Sequence, residues 1–260
     1  MIKLLENTVT PPIFDSHAHY DDGRFDEERD SLLLSLKEKG VGGIINCGCD
    51  YDSSKFSLNL ADKFQFVYAA VGIHPSNLDS NTTIEQIEQL SKHKKCVAIG
   101  EIGLDYYWTQ DNKSLQLKVF EEQLILANKL NLPVIVHDRE AHADTLELLK
   151  KHKPKGVVHS FSGSVEMANE ILKLGMYIGI GGVITFKNAK KLPDVVKMLP
   201  LDKLLLETDA PYLTPAPYRS ETNHSQMIYF TAQKIAEIKE CDITEVLNAG
   251  FENAKNLFKI

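Results

Sequence analysis

Apolar runs of strand length alternate with amphipathic runs of helix length from one end of the 260-residue chain to the other. Candidate strands cover 13–19, 43–49, 67–74, 97–105, 133–137, 156–160, 177–184 and 204–209. Apolar positions at helical spacing fall between them, for example at 26–39, 113–130, 144–152 and 165–174, and two further helical patterns follow the last strand. Val134-Ile135-Val136 and Leu204-Leu205-Leu206 show no polar alternation, so both faces of those strands must be covered, as in parallel strands flanked by crossover helices. Eight β/α units in about 250 residues predict an α/β fold, a single TIM-type (β/α)8 barrel with extra C-terminal helices, rather than an open doubly wound sheet. No Gly-x-Gly-x-x-Gly follows the first strand, which removes the usual support for a dinucleotide fold. No linker or low-complexity tract interrupts the alternation, so residues 1–260 are expected to form one domain.

Composition narrows the picture without redirecting it. With 43% hydrophobic and 25% charged residues the chain can bury a full core, and disorder is excluded. A net charge of −7 disfavours a wide, sequence-blind grip on polyanions, so any nucleic acid must be attracted locally. No basic start leads into a long apolar run, and a cytoplasmic, membrane-free protein, monomeric by default, is expected. Cys47, Cys49, Cys96 and Cys241 are too few and too scattered for a disulfide scaffold. Cys47-Gly48-Cys49 lacks a second cysteine pair to complete a tetrahedral site, and both thiols are expected to be structural residues of an apolar strand.

The chemistry lies in where the metal-binding residue types fall. His17 and His19 close the first strand, Glu101 lies in the fourth, and His137, His159 and Asp209 close the fifth, sixth and eighth. In a barrel of this kind those strand ends share one mouth. A spacing of two sends both imidazoles of His17 and His19 off one face of the strand, about 6.6 Å apart at the backbone. A lone His-x-His is a weak signal; four further ligands at matching strand ends make it a strong one. One carboxylate can bridge two ions separated by roughly 3.5 to 4 Å, and Glu101 is the natural bridge. His17, His19, Glu101 and Asp209 are therefore assigned to a first ion, and Glu101, His137 and His159 to a second. Imidazole suits Zn²⁺, whereas carboxylates and a phosphate substrate also admit Mg²⁺ or Mn²⁺. Two divalent ions against two carboxylates and one hydroxide leave about one positive charge, which suits a phosphodiester. Glu101 and Asp209 are the expected catalytic carboxylates, with Asp209 orienting a metal-activated hydroxide or taking its proton.

The chain resembles the TatD-related metal-dependent deoxyribonucleases, a branch of the amidohydrolase-like barrels. The resemblance is carried by Phe14-Asp15-Ser16-His17-Ala18-His19, Val71-Gly72-Ile73-His74-Pro75, Ile99-Gly100-Glu101-Ile102-Gly103-Leu104-Asp105-Tyr106, Val136-His137, His159-Ser160-Phe161-Ser162-Gly163 and Leu206-Glu207-Thr208-Asp209-Ala210-Pro211-Tyr212-Leu213. It implies a barrel, a one- or two-ion site on the residues above, and exonuclease-type hydrolysis of DNA phosphodiesters at single strands or ends. Deacylation of D-aminoacyl-tRNA is the family's other theme. The same ligand set would also serve an amidohydrolase-type ester or amide hydrolase. After Tyr218-Arg219 the family usually continues with Gly-Lys and an Asn-Glu-Pro-like stretch, whereas Ser220-Glu221-Thr222-Asn223-His224-Ser225 stands here, removing one basic residue from the mouth.

Around the ligands, His74 matches the family's Gly-Ile-His-Pro histidine and is read as a phosphate contact, against the alternative of a capped turn histidine. Arg139 and Arg219 are the candidate substrate-binding cations, each weighed against an exposed arginine. Tyr106, Tyr107 and Trp108 form either a stacking platform for bases or loop packing. His93, His142, His152 and His224 are expected at the surface, and the lysines of 150–155 as a solvated helix end.

Overall fold

A computed structural model describes residues 10–108 and 111–260. Eight parallel strands join in one sheet in chain order: β1 (Ile13–Ala18), β2 (Val41–Cys47), β3 (Val67–Val71), β4 (Cys96–Asp105), β5 (Val134–Arg139), β6 (Gly156–Val158), β7 (Tyr177–Ile180) and β8 (Leu204–Leu206). Helices α1 (Arg29–Glu38), α2 (Tyr51–Lys63), α3 (Ile84–Leu90), α4 (Lys113–Leu130), α5 (His142–His152), α6 (Val165–Lys173) and α7 (Leu192–Met198) form the crossovers, and α8 (Ile228–Lys239) and α9 (Ile243–Phe258) follow the last strand. The expected barrel and the two helices expected after its last strand are all present. The β8–β1 junction is made at one end by the Ala18–Ala210 bridge, with the Asp209 amide donating to the His17 carbonyl at 2.9 Å and the His19 amide to the Ala210 carbonyl at 2.7 Å.

Two apolar layers hold this frame. Ile44, Val67, Ile99, Val136, Ile178 and Leu206 point outward into the helices. Phe14, Ile45, Val97, Ile135, Val157 and Leu205 fill the barrel interior together with Ala254 and Phe258 of α9. The ring of Phe251, also on α9, occupies the space a Cβ at Gly42 would need, so this helix covers the amino-terminal end of the barrel and leaves the carboxyl end open.

Strand positions agree with the apolar pattern, while their ends differ. β2 starts at Val41 rather than at 43, because the rings of Phe251 and Phe14 take the room beside Gly42 and Gly43 and keep both glycines within the strand. β3, β7 and β8 stop earlier than expected. His74 caps a short turn at Pro75–Asn77, Gly182–Thr185 forms a 3-10 turn, and Asp209 takes left-handed backbone with φ of 60°. α1 begins at Arg29 because the Asp22 carboxylate caps a separate turn at Gly23–Phe25.

Candidate metal centre

The open end of the barrel holds a cavity of about 1080 Å³. Period-two alternation puts its polar floor directly above the apolar plug: His137 lies two residues past interior Ile135, His159 two past Val157, and Glu207 and Asp209 two and four past Leu205. A register shift between Asp15 and Ala18 re-aims β1 so that His17 and His19 both face inward. The structure brings together all six residues proposed as ligands from the sequence.

Their polar atoms fall into two groups that share one carboxylate. His17 Nε2 and His19 Nε2 are 3.0 Å apart; each lies 3.4 Å from Glu101 Oε2, and they lie 3.5 and 3.4 Å from Asp209 Oδ1. Glu101 Oε1 is 2.9 Å from His137 Nδ1 and 2.8 Å from His159 Nε2, and those two nitrogens are 3.4 Å apart. Four nitrogen and oxygen ligands placed about 2.0–2.2 Å from one ion in a tetrahedron stand roughly 3.3–3.6 Å from each other, so the first group has the size of a coordination shell. The two oxygens of Glu101 divide between the groups as a bridging carboxylate would.

The far nitrogens of His19, His137 and His74 bear on what the near ones can do, while His17 Nδ1 lies 3.4 Å from the Cys47 thiol. A neutral imidazole carries one donor and one acceptor. His19 Nδ1 faces the Cys47 carbonyl at 3.0 Å, and His137 Nε2 faces Asp105 Oδ2 at 3.0 Å. Both partners only accept, so with an ion at the inner nitrogen the neutral ring would keep its proton on the far side and offer the inner lone pair. His159 Nδ1 lies 3.7 Å from Glu207 Oε1, and His159 Nδ1 and Glu207 Oε2 are both buried without another partner among the described residues. His74 is the reverse case. Its Nδ1 accepts the Ser76 amide at 3.1 Å, which puts the proton on Nε2, 3.4 Å from Glu101 Oε1. His74 therefore offers the cavity a donor, although it lies close enough to Glu101 and His137 to be grouped with them.

Electrostatics follow from the crowding. Burial works against the Glu101 carboxylate, but His159, His74 and His17 outweigh it and hold its pKa well below the usual carboxylate range. Burial likewise opposes charge on His159, and Glu101 and Glu207 overturn it, raising His159 well above the ordinary imidazole value. His19 is raised against its burial by Cys49, Asp209 and Glu101, and His137 by Asp105 and Glu101. Without a cation, protons take the place of positive charge among these carboxylates.

Several expectations need correction. Arg219 does not reach the cavity: its guanidinium lies 3.6 Å over the Phe186 ring and donates to the Thr214 carbonyl at 3.0 Å. His224 is fully buried rather than at the surface. Cys49 is not a strand residue like Cys47; it lines the cavity with Sγ 4.0 Å from Glu101 Oε2, and burial pushes its thiol up to about 11. Tyr106 is buried with its hydroxyl donating to Asp144, whereas Tyr107 and Trp108 are exposed. His93, His142 and His152 pair with Asp62, Asp138 and Glu121 toward the surface.

Three residues behind the ligands escaped the sequence reading. Asp105 and Glu207 back His137 and His159. Asp15 accepts from the Thr208 amide at 3.0 Å, the Thr208 hydroxyl at 2.6 Å and the Ser225 hydroxyl at 2.7 Å, tying β1 to the loop that carries Asp209. The available signal was the period-two relation of Asp105 to Glu101 and of Glu207 to Leu205. Asn223 stands in the segment that departs from the family pattern, and it donates to the Thr208 and Tyr212 carbonyls at 2.9 and 2.6 Å. The departure therefore leaves the brace beneath Asp209 intact.

Comparison with known proteins agrees with this architecture. Residues 14–259 match the family described as TatD related DNase. The chain is 40% identical over 253 residues to an uncharacterized metal-dependent hydrolase of Bacillus subtilis, YabD, covering 95% of this chain and 99% of that one. It is 34% identical to YcfH of Escherichia coli, covering 95% and 96%. The crystal structure of YjjV, a TatD homologue from Escherichia coli, superposes with a TM-score of 0.90 at 34% identity over 95% of this chain and 98% of that one. With its barrel, its six clustered candidate ligands and this similarity along nearly its whole length, the chain belongs to the TatD-related DNase family of metal-dependent hydrolases.

Proposed function

We propose that the chain is a deoxyribonuclease that hydrolyses DNA phosphodiester bonds at single strands or ends, with two divalent ions, Mg²⁺, Mn²⁺ or Zn²⁺, as cofactors. The observation that carries the reading is the division of Glu101 between two ligand groups beside a donor-bearing His74. His17, His19, Glu101 and Asp209 would hold one ion, and Glu101, His137 and His159 the other. When bound, such a pair polarises a phosphoryl oxygen and makes hydroxide available near neutral pH. Asp209 is kept ionised: burial opposes its charge, and His19 and His17 outweigh it. It can therefore orient the attacking water and accept its proton. His74 Nε2–H donates to a non-bridging phosphate oxygen, and Arg139 on the cavity rim pairs with a neighbouring phosphate. The ions supply locally the attraction that a net charge of −7 withholds.

The test is incubation of the purified protein with end-labelled single-stranded and duplex DNA in Mg²⁺ or Mn²⁺, beside Glu101→Gln and an EDTA control. Aryl esters and D-aminoacyl-tRNA are run in parallel. Loss of label that depends on both the cation and Glu101 supports the assignment. DNA left intact while an ester or acyl-tRNA is cleaved overturns it.

A further inference from the structure

The wall of the cavity beside His137 is aromatic and is wired to that imidazole. Asp105 ends β4, and its carboxylate works in two directions. Oδ2 accepts from His137 Nε2 at 3.0 Å, while Oδ1 accepts from the backbone amides of Tyr107 at 2.9 Å and Trp108 at 3.0 Å. Gln116 of α4 fixes the residue from behind, accepting from the Asp105 amide at 2.8 Å and donating to its carbonyl at 3.0 Å. Parallel register pairs Asp105 with Arg139, and the Arg139 guanidinium lies 4.2 Å from the Tyr107 ring centre and 5.4 Å from that of Trp108. Both rings are large apolar surfaces left open, Tyr107 55% and Trp108 67% exposed. Trp108 and Arg139 line the same cavity as His137. Exposed rings beside a guanidinium suit the face of an unpaired base, which brings a phosphate with it.

We propose that Asp105 is a positioning residue joining His137 to the Tyr107–Trp108 wall, so that an unpaired nucleobase stacked on the wall and an ion held by Glu101, His137 and His159 reinforce each other. The inference rests on the ion site proposed above. His137 can present a lone pair at Nδ1 only while Nε2–H has an acceptor, and the same carboxylate holds the two amides that set the wall. Ordering one end lowers the entropy lost on ordering the other. Coupling of this kind is reciprocal: the factor by which the base tightens the ion equals the factor by which the ion tightens the base.

Trp108 is the only tryptophan in the chain, so its fluorescence reports on the wall directly. Ion-free protein is titrated with Zn²⁺ while emission is followed and bound ion is counted by equilibrium dialysis and elemental analysis. The titration is repeated with a hydrolysis-resistant methylphosphonate oligothymidylate present. In the wild type, filling the second site is expected to shift Trp108 emission, and the oligomer to raise second-ion affinity. Asp105→Asn is expected to keep the first ion, to bind the second about 10- to 100-fold more weakly, and to show neither the emission change nor the mutual tightening. Asp105→Glu should recover part of each. Two ions bound with flat Trp108 emission, or equal coupling in wild type and Asp105→Asn, overturns the inference and leaves the metal site standing. Absence of any bound ion overturns both.

Discussion

At the scale of single residues, the second nitrogens of His19, His137 and His74 separate two candidate ligands from a donor. His17, His19, His137 and His159 crowd the two oxygens of Glu101, and His74 stands beside them. His74 has its outer nitrogen facing a backbone donor, the Ser76 amide, whereas His19 and His137 face acceptors and His17 Nδ1 lies 3.4 Å from the Cys47 thiol. Replacing His74 with Phe should therefore leave ion stoichiometry unchanged and lower kcat/KM on DNA roughly 10- to 100-fold, the size of one hydrogen bond to a charged group. Dialysis with elemental analysis, alongside steady-state kinetics, checks both halves. A loss of bound ion would make His74 a ligand. Residue identity alone announced the six candidate ligands that the barrel brings together, since imidazoles and carboxylates at strand ends are conspicuous. It did not announce Asp105 or Glu207, because an acidic residue behind a histidine is recognised by what it faces. Arg219 was misplaced for a related reason: its stacking partner, Phe186, is 33 positions away in the chain and unreadable from the local sequence.

At the scale of elements, strands were legible and their ends were not. Val134-Ile135-Val136 reads as a buried strand because nothing polar interrupts it, and the structure extends that strand to Arg139. His159, Asp209 and His74 instead lie past the last ladder residue, where Ser160 and Asp209 take left-handed backbone with φ of 43° and 60°. Apolar periodicity carries no information about such turns. One element shows how closely the sheet is fitted to the site. Gly179 of β7 faces inward, and a Cβ there would overlap Glu207 Oε2 and press on His159. Gly179→Ala is expected to cost about 1–3 kcal/mol in urea unfolding, and to weaken second-ion binding by about 10- to 100-fold through the displaced Glu207. Wild-type affinity in that variant would show that Glu207 does not set the His159 imidazole.

At the scale of the whole molecule, protons and cations compete for one pocket. His19, His137 and His159 have folded-state pKa values raised above the ordinary imidazole value. Their protonated forms stabilise the ion-free protein fully below that value, and this contribution is lost as pH rises through the raised ones. Cations need the neutral rings, so their contribution runs the other way and binding releases protons. Adding EDTA to the loaded protein should therefore lower Tm more at about pH 8 than at about pH 6. Calorimetric titration in buffers of different ionisation heat should detect the released protons. An EDTA effect independent of pH would contradict the raised imidazole values.

The barrel is held along seven boundaries by ladders and along the eighth by a clasp at its mouth. His17, His19 and Asp209 supply that clasp with their backbones and the first ion's proposed shell with their side chains. Parting of the staves and release of the cation are then one event. Stripped of ions, the protein should exchange the amide hydrogens of His19 and Asp209 well before those of β4 and β5, and adding a cation should slow those two sites selectively. The molecule would lose its chemistry by springing a single joint, at temperatures where the rest of the cask still holds its shape.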